Sequence, residues 1–238
     1  MEIHRYESLS STNSQLFELS KKNAKSWTVI WTSHQTQGKG YSGNSWISEF
    51  GKNIAVSVLI KNDLHYSELI YFNQWVCNVI CDFLSSYTED VSVKWPNDII
   101  IKNKKVCGVL IETHKIDNQL NIITGIGLNV NQINFDLLLK AGSLSTQTGQ
   151  IYNLEEILSG LLTKLKSSYH LIEKREWESI IEKYNSKLFR KDKVSVFKIE
   201  DELFNGIIQS VDESGLLNVK LENGSINKFK HKEIELMY

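Results

Sequence analysis

Three lysines stand where they could handle an anion. Lys39 lies in the polar loop 35–46, among Gly38, Gly40 and Gly43 and ahead of a closing Trp46. Glycines at that density let backbone N–H groups approach an anion closely, a lysine adds a point charge, and an indole offers a flat face to a base or ring. Lys94 opens the segment Lys94-Trp95-Pro96-Asn97-Asp98, built around the only proline of the chain. Proline fixes φ and drives its predecessor extended, so a strand should end sharply here and project Lys94, Asn97 and Asp98 at one rim. Pro-Asn-Asp is also ordinary turn chemistry, but a turn needs neither the charge nor the indole beside it. Lys105 follows Lys102 and Lys104 in a polar hairpin, where it could be one more solvated lysine, yet it stands at the start of the apolar strand 106–112.

The basic residues are divided unevenly. Only Arg5, Arg175 and Arg190 are arginines, so nothing between residues 6 and 174 offers a guanidinium fork. Phosphates in that span must meet lysines and backbone amides. The spelling Gly38-x-Gly40-x-x-Gly43, with Asp63 about twenty residues on, fits a dinucleotide-binding turn. That turn should open a helix, whereas residues 44–53 have no helical apolar period and break again at Gly51. A dinucleotide fold is rejected, leaving a ligand site or a plain glycine-rich hairpin.

The elements that must position these residues read as follows. Residues 1–9 suit a first strand, and the run Ser8 to Ser14 suits a hydroxyl-rich helix start in which Ser11 and Thr12 either cap or meet a small polar ligand. Residues 27–31 suit a strand entering the glycine loop, and 53–60 a buried strand. Leu69, Phe72, Val76, Val79, Ile80 and Phe83 recur at helical spacing over residues 66–87, a core stripe. Gly108 weakens the strand 106–112, and Gly125 and Gly127 bare one face of the strand 121–131. Three missing side chains on a sheet face are either a close-packed helix or the floor of a ligand slot, and the slot is favoured. Helices are expected over 136–141, 154–169 and 175–189, with the polar stretch 142–153 between the first two. From residue 191 short strands at 194–197, 203–211, 216–221 and 226–229 form a small β-barrel. The domains are therefore 1–187 and 188–238.

Apolar residues make up 41% and charged residues 23% of the 238, with no stretch near the roughly 20 apolar residues of a membrane span. No signal-peptide core is visible at the start, so a cytoplasmic protein is expected. A net charge of −1 argues against a duplex-DNA binder. Cys77, Cys81 and Cys107 lack metal-ligand spacing and read as buried small hydrophobes, and the histidines are scattered.

Taken in order, these segments resemble the catalytic core of the biotin protein ligases over nearly the whole chain. The motifs are Ser11-Thr12-Asn13, residues 35–46, Lys94 to Asp98, residues 105–112 with Lys105, Gly108 and Glu112, and Gly125-x-Gly127-Leu128-Asn129. The resemblance implies an α+β fold, a mixed sheet flanked by helices of the class II synthetase-like biotin and lipoate ligase type, with a C-terminal SH3-like β-barrel. It implies ATP-dependent biotinylation of a lysine on the biotin carboxyl carrier protein of acetyl-CoA carboxylase, through biotinyl-5′-AMP. Ser11, Thr12, Asn13 and Gln35 would meet the biotin head group, with Gly38, Gly108, Gly125 and Gly127 around its bicyclic body. Lys105 and Lys39 would meet the carboxylate and phosphates, and Asp98 would position or deprotonate the acceptor lysine. Gly40, Tyr41, Asn44, Lys94 and Asn97 would contact the nucleotide, with Trp46 and Asn129 stacking on and reading the adenine. Mg²⁺ would arrive with ATP, its protein ligands unspecified.

Two departures matter. The family loop commonly carries arginines where this chain has Lys39, Tyr41 and Asn44, and Tyr41 is expected to close over the ligand by ring contact instead. The first motif begins at Ser11, which leaves no room for the winged helix-turn-helix of bifunctional members, so a ligase without DNA binding, monomeric or homodimeric, is expected. The alternatives are a lipoate or octanoate ligase or transferase of the related fold, and a non-catalytic biotin-binding sensor.

Overall fold

The computed structural model describes residues 1–40, 43–116, 119–136 and 138–238. The first half runs β1 (Glu2–Tyr6), α1 (Thr12–Lys21), β2 (Thr28–Thr32), the short strands β3 (Gly38–Lys39) and β4 (Ser45–Trp46), β5 (Asn53–Asn62) and a 3-10 turn leading into α2 (Leu69–Leu84). A meander follows, of β6 (Val91–Lys94), β7 (Asp98–Ile101), β8 (Lys104–Ile116) and β9 (Gln119–Asn129). Helices α3 (Leu144–Thr148), α4 (Leu154–Ser168), α5 (His170–Glu173) and α6 (Trp177–Ser186) precede β10 (Val194–Ile199), β11 (Glu202–Val211), β12 (Leu217–Leu221), β13 (Ile226–Phe229) and β14 (Glu235–Met237).

Seven strands form one sheet in the order β1-β2-β5-β9-β8-β7-β6, antiparallel except for the β1–β2 pair. The C-terminal strands form a five-stranded antiparallel sheet ordered β13-β12-β11-β10-β14. This is the mixed sheet flanked by helices, with a small all-β C-terminal unit, that the sequence implies. The short terminal strand β14 was not foreseen. Among the described residues no helix is long and apolar enough to cross a membrane.

Alternation along β5 divides the large sheet into two faces. Ile54, Val56, Val58 and Ile60 point into the main core, which holds Phe72, Val76 and Ile80 of α2 and Leu158 and Leu162 of α4. On the other face α1 packs through Leu16 against Ile30, Leu59 and Ile123. Truncating a wholly buried leucine such as Leu16 typically costs about 2–5 kcal/mol, so this small cluster anchors α1 firmly. Next to it the same face carries glycines rather than large side chains, and a cavity opens there.

Two local features depart from the sequence reading. Of the expected helix 136–141, the described residues 136 and 138–141 are not helical: Leu138 and Leu139 are exposed, and the backbone is drawn along the start of β8, with Lys105 N–H bonded to the Lys140 carbonyl and Gly142 N–H to the Lys105 carbonyl. The helix forms instead at α3, inside the polar stretch, because Ser143 caps it by accepting from Thr146 N–H. The second feature is a β-bulge: Ile99 pairs with Cys107 but Ile100 pairs with Lys105, leaving Val106 unmatched.

The C-terminal sheet is tied to the seven-stranded one. Asn185 of α6 exchanges two hydrogen bonds with the Val211 backbone, at 2.7 and 3.0 Å, and Trp95 Nε1 donates to the Gly215 carbonyl at 3.1 Å.

Candidate active site

One row of residues crosses five strands of the bare face. Ala55 pairs with Gly127, Gly127 with Gly108, Gly108 with Asp98, and Asp98 with Lys94. All five line one cavity of about 120 Å³, together with Ser11, Thr12, Asn13, Gln35, Lys39, Gly40, Asn44, Trp46, Asn97 and Lys105. The β-bulge is what brings Lys105 there. It stands three positions before Gly108, so in a regular strand the two would face opposite ways. The extra residue shifts the phase, and a Cβ on Gly108 would sit 3.5 Å from Lys105 Nζ.

At one end of the cavity the groups are neutral. Gln35 Oε1 accepts from the Thr12 backbone N–H at 2.7 Å and from its hydroxyl at 3.1 Å. Ser57 Oγ lies 2.7 Å from Thr12 Oγ1 and bonds Asn13 Oδ1, and Asn13 Nδ2 donates to Glu112 Oε2 at 2.7 Å. Thr12, Asn13 and Ser57 are buried, so a fully bonded network avoids the roughly 1–3 kcal/mol cost of each unpaired buried polar group. Ser11 caps α1 and places Thr12 and Asn13 on its first turn. The sequence reading missed Ser57; its signal was a lone hydroxyl in the apolar run 54–60.

At the other end the groups are charged. Lys105 Nζ pairs with Asp98 Oδ1 at 2.6 Å, both side chains partly exposed. Lys94 is more enclosed: burial pulls its ammonium below the ordinary lysine pKa, as do the nearby Lys105 and Lys140, while Asp98 opposes the shift. The Tyr238 ring lies 5.5 Å from Lys94 Nζ and 4.6 Å from Lys140 Nζ. Lys39 is exposed on the cavity rim.

The turn between β6 and β7 is gripped from behind. The Pro96 carbonyl, after a cis Trp95-Pro96 bond, accepts from Tyr184 Oη at 2.8 Å and Asn73 Nδ2 at 3.0 Å. Asn97 is buried with its Nδ2 donated to the Val109 carbonyl at 2.6 Å, so it fastens the turn and leaves Lys94 and Asp98 to project. His231 from the C-terminal sheet also reaches the cavity wall, its ring 5.8 Å from that of Trp95. Burial lowers its pKa, assisted by Lys232 and Lys94 and opposed by Asp98. No sequence signal pointed to His231.

Several expected placements need correction. Gly108, Gly125 and Gly127 line the cavity, but the space of their missing side chains is filled from within the protein. A Cβ on Gly127 would lie 2.8 Å from Trp46 Cζ2 and Nε1, one on Gly108 would meet Trp46 Cζ3 at 3.2 Å, and one on Gly125 would collide with Asn13 Oδ1. The β3–β4 ribbon, pairing Gly38 with Trp46, lays the indole on the glycine strand. Gly40 N–H bonds the Asn44 carbonyl at 2.7 Å and closes this ribbon, so it is not free to cradle an anion. Gly38 lines an open groove beside the cavity, not the cavity itself. Asn129 is buried away from the cavity wall, its Nδ2 on the Gly142 carbonyl. Trp46 Nε1 and Asn129 Oδ1 have no hydrogen-bond partner among the described residues. Tyr41 lies outside the described residues.

Comparison with known proteins bears on this arrangement. The family model described as Biotin/lipoate A/B protein ligase family matches residues 6–129. The bifunctional ligase/repressor BirA of Bacillus spizizenii is 29% identical over 167 residues, 68% of this chain and 51% of that protein, so the match spans about half the relative's length. BirA of Escherichia coli is 27% identical over 236 residues, covering 96% of this chain and 72% of the relative. Among solved structures, biotin protein ligase from Aquifex aeolicus in complex with biotin and ATP superposes with a TM-score of 0.82 at 25% identity, covering 99% of this chain and 98% of that one.

Proposed function

The chain belongs to the biotin/lipoate A/B protein ligase family, and on that premise we propose that it activates biotin with ATP as biotinyl-5′-adenylate and transfers the biotinyl group to a lysine of the biotin carboxyl carrier protein of acetyl-CoA carboxylase. The observation that carries this reading is the polarity of one cavity: a neutral hydrogen-bonding end at Thr12 and Gln35 faces a lysine end at Lys94 and Lys105. A ureido ring, with one carbonyl and two N–H groups, complements hydroxyl and amide groups. A carboxylate and a phosphate complement lysines.

In the first step a biotin carboxylate oxygen bonds the α-phosphorus of ATP, and the bond from that phosphorus to the bridging oxygen breaks, releasing pyrophosphate. Lys105 exchanges Asp98 for the carboxylate and the α-phosphate and offsets the charge that develops on their oxygens. Lys94 and the exposed Lys39 hold the remaining phosphates. In the second step the carrier amine attacks the acyl carbon, AMP leaves, and Asp98, released by Lys105, accepts the amine proton. The bicyclic body lies against the Trp46 indole rather than on bare glycine. Mg²⁺ is read as part of the nucleotide substrate.

The test is pyrophosphate release by the purified chain with biotin or lipoate, each with ATP, with and without a biotin carboxyl carrier domain. Release that needs both biotin and ATP, followed by labelling of the carrier lysine, is expected. Equal or faster release with lipoate overturns the substrate assignment. Biotin binding without release with either acid makes the chain a sensor.

A further inference from the structure

We propose that Glu112 is a positioning residue that makes the neutral end of the cavity accept hydrogen bonds from its ligand at Thr12; the inference rests on the proposed biotin-activating function. Asn13 Nδ2 lies 2.7 Å from Glu112 Oε2 and 3.5 Å from the Leu110 carbonyl oxygen. A carboxylate and a carbonyl only accept, so both N–H bonds of the amide are committed outward and Oδ1 must point inward. It does, over Gly125 and onto Ser57.

The rest of the polarity follows from counting protons. Ser57 is wholly buried and has one hydroxyl proton, which goes to Asn13 Oδ1, an acceptor only. Thr12 Oγ1 then finds acceptors alone among its neighbours, Ser57 Oγ at 2.7 Å and Gln35 Oε1 at 3.1 Å. Whichever takes its proton, Thr12 keeps a lone pair toward the cavity it lines. Gln35 Oε1 is held by the Thr12 backbone N–H at 2.7 Å, which fixes that amide with Nε2 as a donor. An acceptor beside a donor is the complement of a cyclic urea, N–H beside C=O. Glu112 is the outer end of this relay and exposed on β8, and without its carboxylate Asn13 can turn, Ser57 donate to Thr12, and Thr12 donate into the cavity.

The experiment compares binding of biotin with that of biotin methylated on its ureido nitrogens, by calorimetry on the purified chain. Each ligand keeps its own shape across the variants, so the steric cost of the methyl groups is common to them and a change in the affinity ratio from one variant to the next reports hydrogen-bond direction. Glu112→Leu is expected to shrink the preference for biotin at least about tenfold, the worth of one hydrogen bond. It should raise KM for biotin about tenfold and KM for ATP less than about twofold. Glu112→Gln, whose amide oxygen can still accept from Asn13, should restore most of the preference. In a Ser57→Ala background, where the relay is cut, Glu112→Leu should leave the ratio where Ser57→Ala put it. An unchanged ratio in Glu112→Leu overturns the inference while leaving the proposed function intact. A wild-type chain that binds neither ligand overturns the proposed function, and this inference with it.

Discussion

The two ends of the cavity solve different problems with different chemistry. At the neutral end the Thr12, Asn13 and Ser57 side chains are buried and bonded to one another, to Gln35 and to Glu112. At the lysine end Lys105 and Asp98 are partly exposed and hold each other in an ion pair that must open for an anion to take Asp98's place. Preorganised dipoles recognise a group whose charge does not change, whereas exchangeable cations follow charge that moves during a reaction. In the proposed reaction the first end selects and the second reacts.

Substitutions can break that division. Lys105→Ala should have the largest effect, a fall of about 100- to 1,000-fold in biotin- and ATP-dependent pyrophosphate release. The melting temperature should move no more than about 2–4 °C, because a part-exposed ion pair contributes about 0–1 kcal/mol. A fall of under tenfold would place the reacting cation elsewhere. Next comes Gly127→Ala, whose Cβ would press on the indole of Trp46. Overpacking of this kind costs about 1–3 kcal/mol, so a lower melting temperature and a KM for biotin raised about tenfold are expected from thermal scans and steady-state rates. Wild-type stability would mean that the indole moves aside freely.

The smallest effect concerns pH. Because the Lys94 pKa is lowered, chiefly by burial, its ammonium is lost at a lower pH than that of an ordinary lysine, whose pKa is 10.5. Activity should fall as pH rises through that lowered pKa, and Lys94→Arg, which stays charged, should move the fall upward. The stability sign is opposite. Between the folded pKa and the ordinary lysine pKa the unfolded chain binds more protons, so stability rises with pH across that window. KM for biotin should stay flat there, since Thr12, Asn13, Gln35 and Ser57 are uncharged at every pH, and a KM that follows Lys94 would show the two ends to be coupled.

The course of the sheet was legible because β-branched runs and alternating glycines admit few other readings; β5, β9 and the helical stripe of α2 are examples. The motif lysines and hydroxyls were legible as chemistry. What escaped was placement that depends on contacts distant in sequence. Alternation alone sets Lys105 on the wrong face, and only the bulge at Val106 corrects it. The glycines read as an empty floor because nothing local says that Trp46 and Asn13 fill it. At residues 138–141 the expected helix gave way to a backbone pairing with Lys105, which leaves Leu138 and Leu139 exposed. Asn129, inside a motif, spends its amide on the Gly142 carbonyl rather than facing a ligand.

The row from Ala55 through Gly127, Gly108 and Asp98 to Lys94 works as a measuring scale. Neighbouring strands lie about 4.8 Å apart, so the three steps from Gly127 to Lys94 amount to about 14 Å of separation along the sheet. That separation is fixed by the hydrogen-bonded ladders themselves and not by any loop. Insertions in the connecting turns could alter which molecules reach the cavity, but the length of ligand that spans it is counted in strands.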